Sequence, residues 1–300
     1  MQELSGKAAF VTGGASGIGL GMAKAFAEQC ISVAIADVRQ DHIERARREL
    51  EGSGAFHFIN LDVTDRAAFA RAADEAEAAI GPVSILCNNA GVGMLGDAKS
   101  TGYVDWDWVM GVNLGGVING IQSFLPRMLA SGVEGHIVNT SSIGGMLPMP
   151  GGAAYITSKA AVIGLSEALY SDLRSDGIGV TVLIPGPTAS NIHEVAKLRP
   201  TGFAETGLAE LEAELAKGPL FPGGLAPLET GRMVVKAIAG DQLYLFTHAD
   251  FRHGVAQRFA AIMTGFGKDG GDLGAADSYG FPAFNQHFSD IVSASNNENI

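Results

Sequence analysis

The chain has 300 residues, of which 47% are hydrophobic and 17% charged, and its formal net charge is -12. This charge argues against nucleic acid or an anionic membrane as a partner. No apolar run reaches the ~18 residues of a membrane span and the N-terminus lacks a signal-peptide pattern, so a soluble, cytoplasmic protein is predicted. Cys30 and Cys87 lie in apolar segments, which favours buried thiols over a disulfide framework or a metal site.

A strand, a glycine-rich turn and a helix open the chain. Residues 7–12 are apolar and predict a buried strand, which runs into the glycines of 13–19. Such a turn lets backbone N–H groups and a helix N-terminus meet a phosphate. The next predicted strand, 32–36, ends at Asp37, where a dinucleotide fold places the acid that binds the adenosine ribose. A strand-end or helix-capping aspartate is the alternative.

Strands and helices keep alternating to Pro187, and the alternation resumes from Thr230 to residue 246. Further strands are predicted at 56–60, 82–87, 135–140, 179–184 and 242–246. Helices are predicted at 41–51, 66–80, 106–130, 155–174, 230–239 and, with an amphipathic pattern, 251–263. Repeated strand–helix units imply a parallel sheet with helices on both faces. The fold class predicted is therefore α/β, a single Rossmann-type doubly wound domain of about seven parallel strands over residues 1–265, with a polar C-terminal extension over 266–300.

One predicted helix carries Tyr155 and Lys159, which are four residues apart and therefore share a helical face. A cation beside the phenol favours the phenolate, so the pKa of Tyr155 is expected to fall from its reference near ~10 toward neutrality. A tyrosine tuned in this way can exchange a proton with an alcohol oxygen. Taken alone, the pair also fits an aromatic residue and a lysine on a partly exposed helix.

With these elements placed, the chain resembles the short-chain dehydrogenase/reductase family over roughly residues 4–246. The resemblance rests on motifs that occur in the family order. They are Thr12-Gly13-x-x-x-Gly17-Ile18-Gly19, Asn88-Asn89-Ala90-Gly91, Asn113, Ser142, Tyr155-x-x-x-Lys159 and Pro185-Gly186.

The resemblance implies a catalytic tetrad. Tyr155 would be the general acid/base, and Ser142 would hold the substrate oxygen by a hydrogen bond. Lys159 would lower the pKa of the tyrosine and bind the nicotinamide ribose, and Asn113 would anchor a water in a proton relay. Ser141 is one residue off the family spacing, and its side chain is expected to point away because strand-end residues alternate faces.

The resemblance also implies a cofactor site. Its predicted members are Gly13, Ser16, Gly17, Ile18 and Gly19 at the pyrophosphate turn, Asp62 and Val63 at the adenine, Asn89 and Gly91 along the ribose path, and Pro185, Gly186 and Ser190 at the nicotinamide. Asp37 favours NAD over NADP, since a carboxylate binds two ribose hydroxyls and repels a 2′-phosphate. Arg39 is the reservation, because it could stack on adenine or reach a phosphate.

The substrate is expected to be a bulky, hydrophobic secondary alcohol or its ketone. Candidate pocket residues follow the catalytic strand ends: Met94, Leu95, Met146, Leu147, Met149, His193 and Phe203. An apolar, flexible lining of this kind suits such a substrate better than a sugar. Ordinary packing under a loop is the alternative for each of them.

Within the family, three stretches resemble the bacterial dehydrogenases that oxidise the benzylic alcohol of lignin-derived aryl ethers. They are residues 107–120, Ser190-Asn191-Ile192 and Leu198-Arg199-Pro200. A steroid or terpenoid alcohol stays open.

Residues 191–225 interrupt the alternation and are predicted to form a substrate lid, with Leu208, Leu211 and Leu215 as an apolar stripe. A surface insertion without a catalytic part is the alternative. The glycine-rich helix 106–130 and the Tyr155 helix predict a homodimer or homotetramer. Two other functions remain open: an NADPH-dependent carbonyl reductase, and a non-catalytic dinucleotide-binding sensor.

Overall fold

The computed structural model describes residues 1, 3–93, 96–199, 201–203, 208–215, 217–218, 223–267 and 285–297. The chain divides into two compact units, Met1–Ala249 and Asp250–Ile300. All seven strands of the sheet lie in the first unit. The predicted division near residue 265 stays a prediction.

The sheet confirms the predicted fold class. Its strands are β1 Ala8–Thr12, β2 Ser32–Asp37, β3 Phe56–Asn60, β4 Ile85–Asn88, β5 Gly135–Thr140, β6 Ile178–Ile184 and β7 Tyr244–Phe246. They run in the order β3-β2-β1-β4-β5-β6-β7, and every neighbouring pair is parallel. The order reverses between β1 and β4, where doubly wound folds bind their ligands.

Helices connect the strands. Those of the first unit are α1 Gly17–Ala27, α2 Gln40–Glu49, α3 Arg66–Ile80, α4 Tyr103–Met110, α5 Gly116–Ser131, α6 Ile143–Met146, α7 Ala153–Leu173, α8 Ala209–Leu215 and α9 Pro227–Ala239. The second unit contains α10 Arg252–Met263 and α11 Gln286–Asn297. A π-helical turn, Gly111–Gly115, joins α4 directly to α5.

Alternate residues of β1 pack on opposite faces of the sheet, as the twofold period of a strand requires. On one face the Phe10 ring lies 5.9 Å from that of Phe69 in α3 and 4.7 Å from that of Phe124 in α5, between centroids. Ala9 and Val11 belong to a different cluster, which includes residues of α1, α2 and α9. Helices therefore cover both faces, and the carboxyl ends of the strands stay open between them.

The close crossing of α1 and α9 depends on two glycines. A Cβ on Gly21 would lie 2.0 Å from the Pro227 carbonyl oxygen, and one on Gly231 would lie 2.2 Å from the Gly21 oxygen. Real Cβ atoms do not approach oxygen so closely, so a larger residue at either position would force the helices apart. This contact holds α1, which begins in the glycine-rich turn of residues 13–19, close to α9.

Three local predictions differ from the structure. Strand β4 begins at Ile85 rather than residue 82, because Pro82 has no N–H to add to a ladder. The helix predicted over 106–130 begins at Tyr103 and contains the π-helical turn. Cys30 is exposed in the turn after α1, where its φ is 58°, whereas Cys87 is buried as predicted.

The C-terminal prediction also needs correction. The twelve residues of α10 are all described and none is buried, and the extension expected to be merely polar forms α11. Among the described residues, no helix combines the length and apolarity needed to cross a bilayer.

Candidate active site

A cavity of about 450 Å³ lies at the carboxyl ends of the strands. Fourteen of the sixteen residues predicted to hold the cofactor line it: Gly13, Ser16, Gly17, Ile18, Asp37, Arg39, Asp62, Val63, Asn89, Gly91, Tyr155, Lys159, Pro185 and Ser190. Gly19 and Gly186 do not. The fold therefore brings together groups that are up to about 177 residues apart in the sequence (Ser190 against Gly13).

The two exceptions act on the backbone around the cavity. A Cβ on Gly19 would lie 2.2 Å from the Gly13 oxygen, so the glycine permits α1 to start directly against the turn. The Gly186 N–H donates to Thr247 Oγ1 at 3.0 Å and fixes the chain after β6. Both positions shape the cavity without facing it.

Asn89 fastens the glycine turn to the end of β4. Its Nδ2 donates to the Thr12 oxygen at 3.0 Å and to the Gly13 oxygen at 3.3 Å. Thr12 Oγ1 in return accepts from the N–H groups of Asn89 and Ala90, at 2.9 and 3.0 Å. The turn is thus held in shape before any phosphate arrives, which lowers the ordering cost of binding.

Asp37 lies at the end of β2 with both carboxylate oxygens on backbone donors. Ala15 N donates to Oδ2 at 3.2 Å and Arg39 N donates to Oδ1 at 3.0 Å. Burial raises the pKa of Asp37, and these two hydrogen bonds oppose the rise. The carboxylate is therefore held at the place where a ribose would lie.

The Arg39 guanidinium points to carboxylates of the protein. It pairs with Asp41 and, at 2.7 Å, with Glu194. The sequence indicated no role for Glu194 or for His42. In the structure His42 Nε2 lies 3.6 Å from Glu194 Oε2. No sequence signal could have found this contact, because 155 positions separate Arg39 from Glu194.

The residues predicted to be the catalytic serine and tyrosine are in contact. Ser142 caps α6, with its Oγ accepting from Gly144 N at 3.1 Å, and its side chain forms a hydrogen bond with that of Tyr155. Ser141, the neighbouring candidate, lines the cavity, but its hydroxyl donates to the Lys159 backbone oxygen at 2.7 Å.

The expected effect of Lys159 on Tyr155 is wrong for the protein as it stands. Lys159 Nζ donates to the Thr140 oxygen at 3.0 Å and lies 5.8 Å from the centroid of the Tyr155 ring. Burial raises the pKa of Tyr155, with only the Ser142 hydrogen bond acting against it. Burial also lowers the pKa of Lys159 to about 8. Helical spacing brought the two residues onto one face, but tertiary packing sets their protonation.

Asn113 is fully buried in the π-helical turn. Its amide donates to the Val92 oxygen and to Ser158 Oγ, both at 3.0 Å, and its Oδ1 accepts from Val92 N at 2.8 Å. Both amide hydrogens are therefore used within the protein, and Oδ1 keeps one acceptor site. Ser158, for which the sequence indicated no role, also donates to the backbone carbonyl oxygen of Tyr155 at 2.7 Å.

Gly91 lies close to Lys159 and Asn113, two of the residues predicted to be catalytic. A Cβ at this position would lie 3.2 Å from Lys159 Nζ and 3.3 Å from Asn113 Oδ1. A side chain would press on both groups, so the glycine keeps space between them. A relay water held by Asn113 stays a prediction, and this space is where it would fit.

Part of the remaining cavity wall is apolar. Trp108, Val112, Leu198 and Phe203 line it, and they belong to or pack against a cluster that includes the buried Leu208. Among the predicted pocket residues that the structure describes, only Phe203 is in this wall, and Leu147 is half-buried and does not line the cavity. Met146 is buried, Met149 is exposed, and His193 lines a neighbouring cavity. Met94 and Leu95 lie outside the described residues.

The glycine-rich turn, the Asp37 carboxylate and the side chains of Tyr155 and Lys159 thus line one cavity beside apolar residues. That combination belongs to oxidoreductases that use a nicotinamide dinucleotide.

Comparison with known proteins identifies the family. A model described as short chain dehydrogenase matches residues 7–199. A C alpha-dehydrogenase of Sphingobium sp. strain SYK-6 is 42% identical over 266 residues, which are 88% of this chain and 87% of that protein. The chain belongs to the short-chain dehydrogenase family.

Two solved structures agree with this assignment. The apo form of LigO from Sphingobium sp. strain SYK-6 has a TM-score of 0.75 and 38% identity, with 89% of this chain and 91% of that chain covered. A short-chain dehydrogenase/reductase from Burkholderia phymatum, solved in complex with NAD, has a TM-score of 0.82 and 33% identity, with 91% and 99% covered.

Proposed function

We propose that the protein is an NAD-dependent dehydrogenase that oxidises a bulky, hydrophobic secondary alcohol to its ketone. The observation that carries this proposal is that Tyr155, which a hydrogen bond joins to Ser142, lines the same cavity as Trp108, Val112, Leu198 and Phe203. A carbinol oxygen on the pair would leave its substituents against an apolar wall. The 42% sequence identity with a C alpha-dehydrogenase supports a benzylic alcohol as the first substrate to test.

The residues present fit the cofactor. Gly13 and Gly17 have φ values of 61° and 50°, a backbone that side chains rarely adopt, and they let the turn approach a pyrophosphate. When bound, NAD supplies the acceptor for the hydride that leaves the carbinol carbon. Asp37 would accept the ribose hydroxyls, and Lys159 would reach the nicotinamide ribose from α7.

The protein's own groups handle the proton. Ser142 holds the substrate oxygen and orients it toward Tyr155, which takes the hydroxyl proton as the carbonyl forms. Because burial raises the pKa of Tyr155 in the protein alone, the ionised form needs a nearby cation. Lys159, whose pKa is about 8, is mostly protonated at neutral pH and is the cation on the same helical face.

The test is the appearance of reduced nicotinamide when NAD is mixed with the protein and a panel of hydrophobic alcohols. Benzylic aryl-ether alcohols are expected to react, with steroid and terpenoid alcohols as the alternative substrates. Reaction of ketones with NADPH alone would favour the carbonyl-reductase alternative. Binding of NAD with no turnover of any alcohol or ketone would favour the sensor.

Cofactor preference is attributed to Asp37. A 2′-phosphate would meet this carboxylate at a buried site, and such like-charge pairing costs several kcal/mol. NAD is therefore expected to bind more tightly than NADP, and Asp37→Ala should narrow the gap. Titration of both cofactors measures it, and tighter binding of NADP by the unmodified protein contradicts the proposal.

We also propose a homodimer or homotetramer. Ile118 and Leu129 on α5 are 41% and 44% exposed, and they are eleven residues, about three turns, apart on one face. An apolar face of this kind is a candidate for contact with a second copy. Light scattering at micromolar concentration should give a mass above 31.0 kDa, and a single species at that mass contradicts it.

A further inference from the structure

The segment that follows β6 runs along the proposed cofactor cavity. It begins at Ser190, whose Cβ lies 3.1 Å from the position of a Cβ on Gly17, in the phosphate-binding turn. Ser190, Asn191 and Ile192 line the same cavity as Asp37. The 3₁₀ turn Ile192–Lys197 then brings Glu194 to the end of β2.

Glu194 links this segment to the end of β2 through an ion pair with Arg39. Its Oε2 accepts from Arg39 NH1 at 2.7 Å, and the two side chains are only 20% and 16% exposed. Its Oε1 accepts from Lys197 at 2.7 Å. The hydrogen bond from Lys197, and next the one from Arg39, lower the pKa of Glu194, while burial raises it. A shielded pair of this kind is worth more than an exposed one.

The contact changes what Arg39 can do. A guanidinium has five N–H donors, and an arginine beside the ribose-binding acid is well shaped for a phosphate. Here Nε and NH2 donate to Asp41 and NH1 donates to Glu194, so carboxylates occupy three of the donors. A phosphate on the ribose would have to displace Glu194 and would face its negative charge.

We infer that Glu194 is a second determinant of cofactor selectivity, which acts by engaging Arg39 and by placing a carboxylate where a 2′-phosphate would bind. Asp37 acts on the ribose from the sheet, whereas Glu194 acts from the segment that covers the cavity. The inference rests on the proposed use of NAD. It implies that Arg39 does not bind a phosphate as long as Glu194 is present.

The experiment compares dissociation constants of NAD and NADP, measured by titration calorimetry, for the unmodified protein and Glu194→Gln. The variant keeps the shape of the side chain and removes its charge. NADP should bind about tenfold more tightly relative to NAD, because a charge-assisted bond to phosphate replaces repulsion. Glu194→Ala should shift the ratio in the same direction.

Two controls isolate the role of Arg39. Glu28→Gln removes an equal charge from a carboxylate that pairs with Arg232 on the surface, and it should leave the ratio unchanged. In an Arg39→Gln background, Glu194→Gln should no longer improve NADP binding, since the freed guanidinium is absent.

The outcomes separate the inference from the proposed function. If the unmodified protein binds NADP more tightly than NAD, both fail. If it prefers NAD and Glu194→Gln changes the ratio by less than about twofold, only the inference fails. A gain in NADP binding that persists without Arg39 would show a general charge effect and would also overturn it.

Discussion

The two ends of the proposed reaction cavity are built by different physical means. At the proton-transfer end, buried polar groups hold one another: Asn113 bonds Val92 and Ser158, and Lys159 bonds Thr140. At the substrate end, Trp108 packs with Val112, Leu198 and Phe203, and a buried ion pair of Arg199 and Asp105 at 3.0 Å lies behind them.

The difference concerns tolerance. A buried hydrogen bond has a narrow range of distance and angle, so removal of one partner leaves the other unsatisfied at a cost of about 1–3 kcal/mol. Apolar contacts are individually weak and less directional, so one wall can accept related substrates by small shifts. We therefore expect substitutions at the polar end to alter chemistry and those at the apolar end to alter substrate range.

The largest expected effect is at Tyr155. Tyr155→Phe should lower kcat by about 10²–10⁴-fold, because general acid/base catalysis contributes that much, while the ring keeps its packing. NAD binding, measured separately by calorimetry, should stay close to normal. Tyr170→Phe is the matched control, since it makes the same change on the same helix, and it should keep activity. Retention of more than about a tenth of the activity in Tyr155→Phe contradicts the assigned role.

Lys159 at the polar end is expected to lower the free energy of unfolding of the protein. Burial lowers its pKa from 10.5 to about 8, a difference of about 2.5 units or roughly 3 kcal/mol against the charged form. Loss of the bond to Thr140 returns about 1 kcal/mol. Lys159→Met should therefore raise the free energy of unfolding by about 2 kcal/mol at pH 7, while it abolishes turnover.

The pH dependence has a defined sign. Below pH 8 the folded protein carries the full penalty of a buried charge, and above it the folded state loses the proton while the unfolded state keeps it. The wild-type protein should gain stability relative to Lys159→Met from about pH 8 toward 10.5. Urea unfolding across this range measures the gain, and the exposed Lys236→Met should show none. A difference that is constant with pH rules the explanation out.

The smallest effects are expected at the apolar end. Phe203→Ala and Leu208→Ala should raise KM for a bulky alcohol by about tenfold or more, since a buried apolar side chain is worth about 1.5–3 kcal/mol. A small alcohol should respond little. Leu211, placed in the predicted lid stripe, is 39% exposed, and Leu211→Ala should change neither KM. Equal responses to both alcohols would mean that residues 191–225 are not a lid.

What could be predicted from sequence follows the same division. Tyr155 and Lys159 were predicted from their helical spacing and Ser142 from the family resemblance, and the seven strands were predicted because apolar runs alternate with helical periods. The direction of the Tyr155 pKa shift was missed, since burial and the Thr140 contact arise only on folding. Trp108 and Leu198 lie in stretches that carry the resemblance to benzylic alcohol dehydrogenases, but they were not predicted as pocket residues, because an apolar residue in a cavity wall looks like one in a core.

The π-helical turn at Gly111–Gly115 divides the continuous helix from Tyr103 to Ser131 into two α-helical segments. The rotation of one segment about the helix axis is therefore independent of the rotation of the other. Before the turn, Trp108 and Val109 meet the apolar cluster; after it, Asn119 donates to the Val63 oxygen at 2.8 Å. One residue corresponds to about 100° of rotation in an α-helix. Deletion of a single residue there would regularise the helix yet turn one segment out of register with its partners. A one-residue deletion costs little stability in a surface loop. Here it would displace Asn113 and break its hydrogen bonds to Val92 and Ser158.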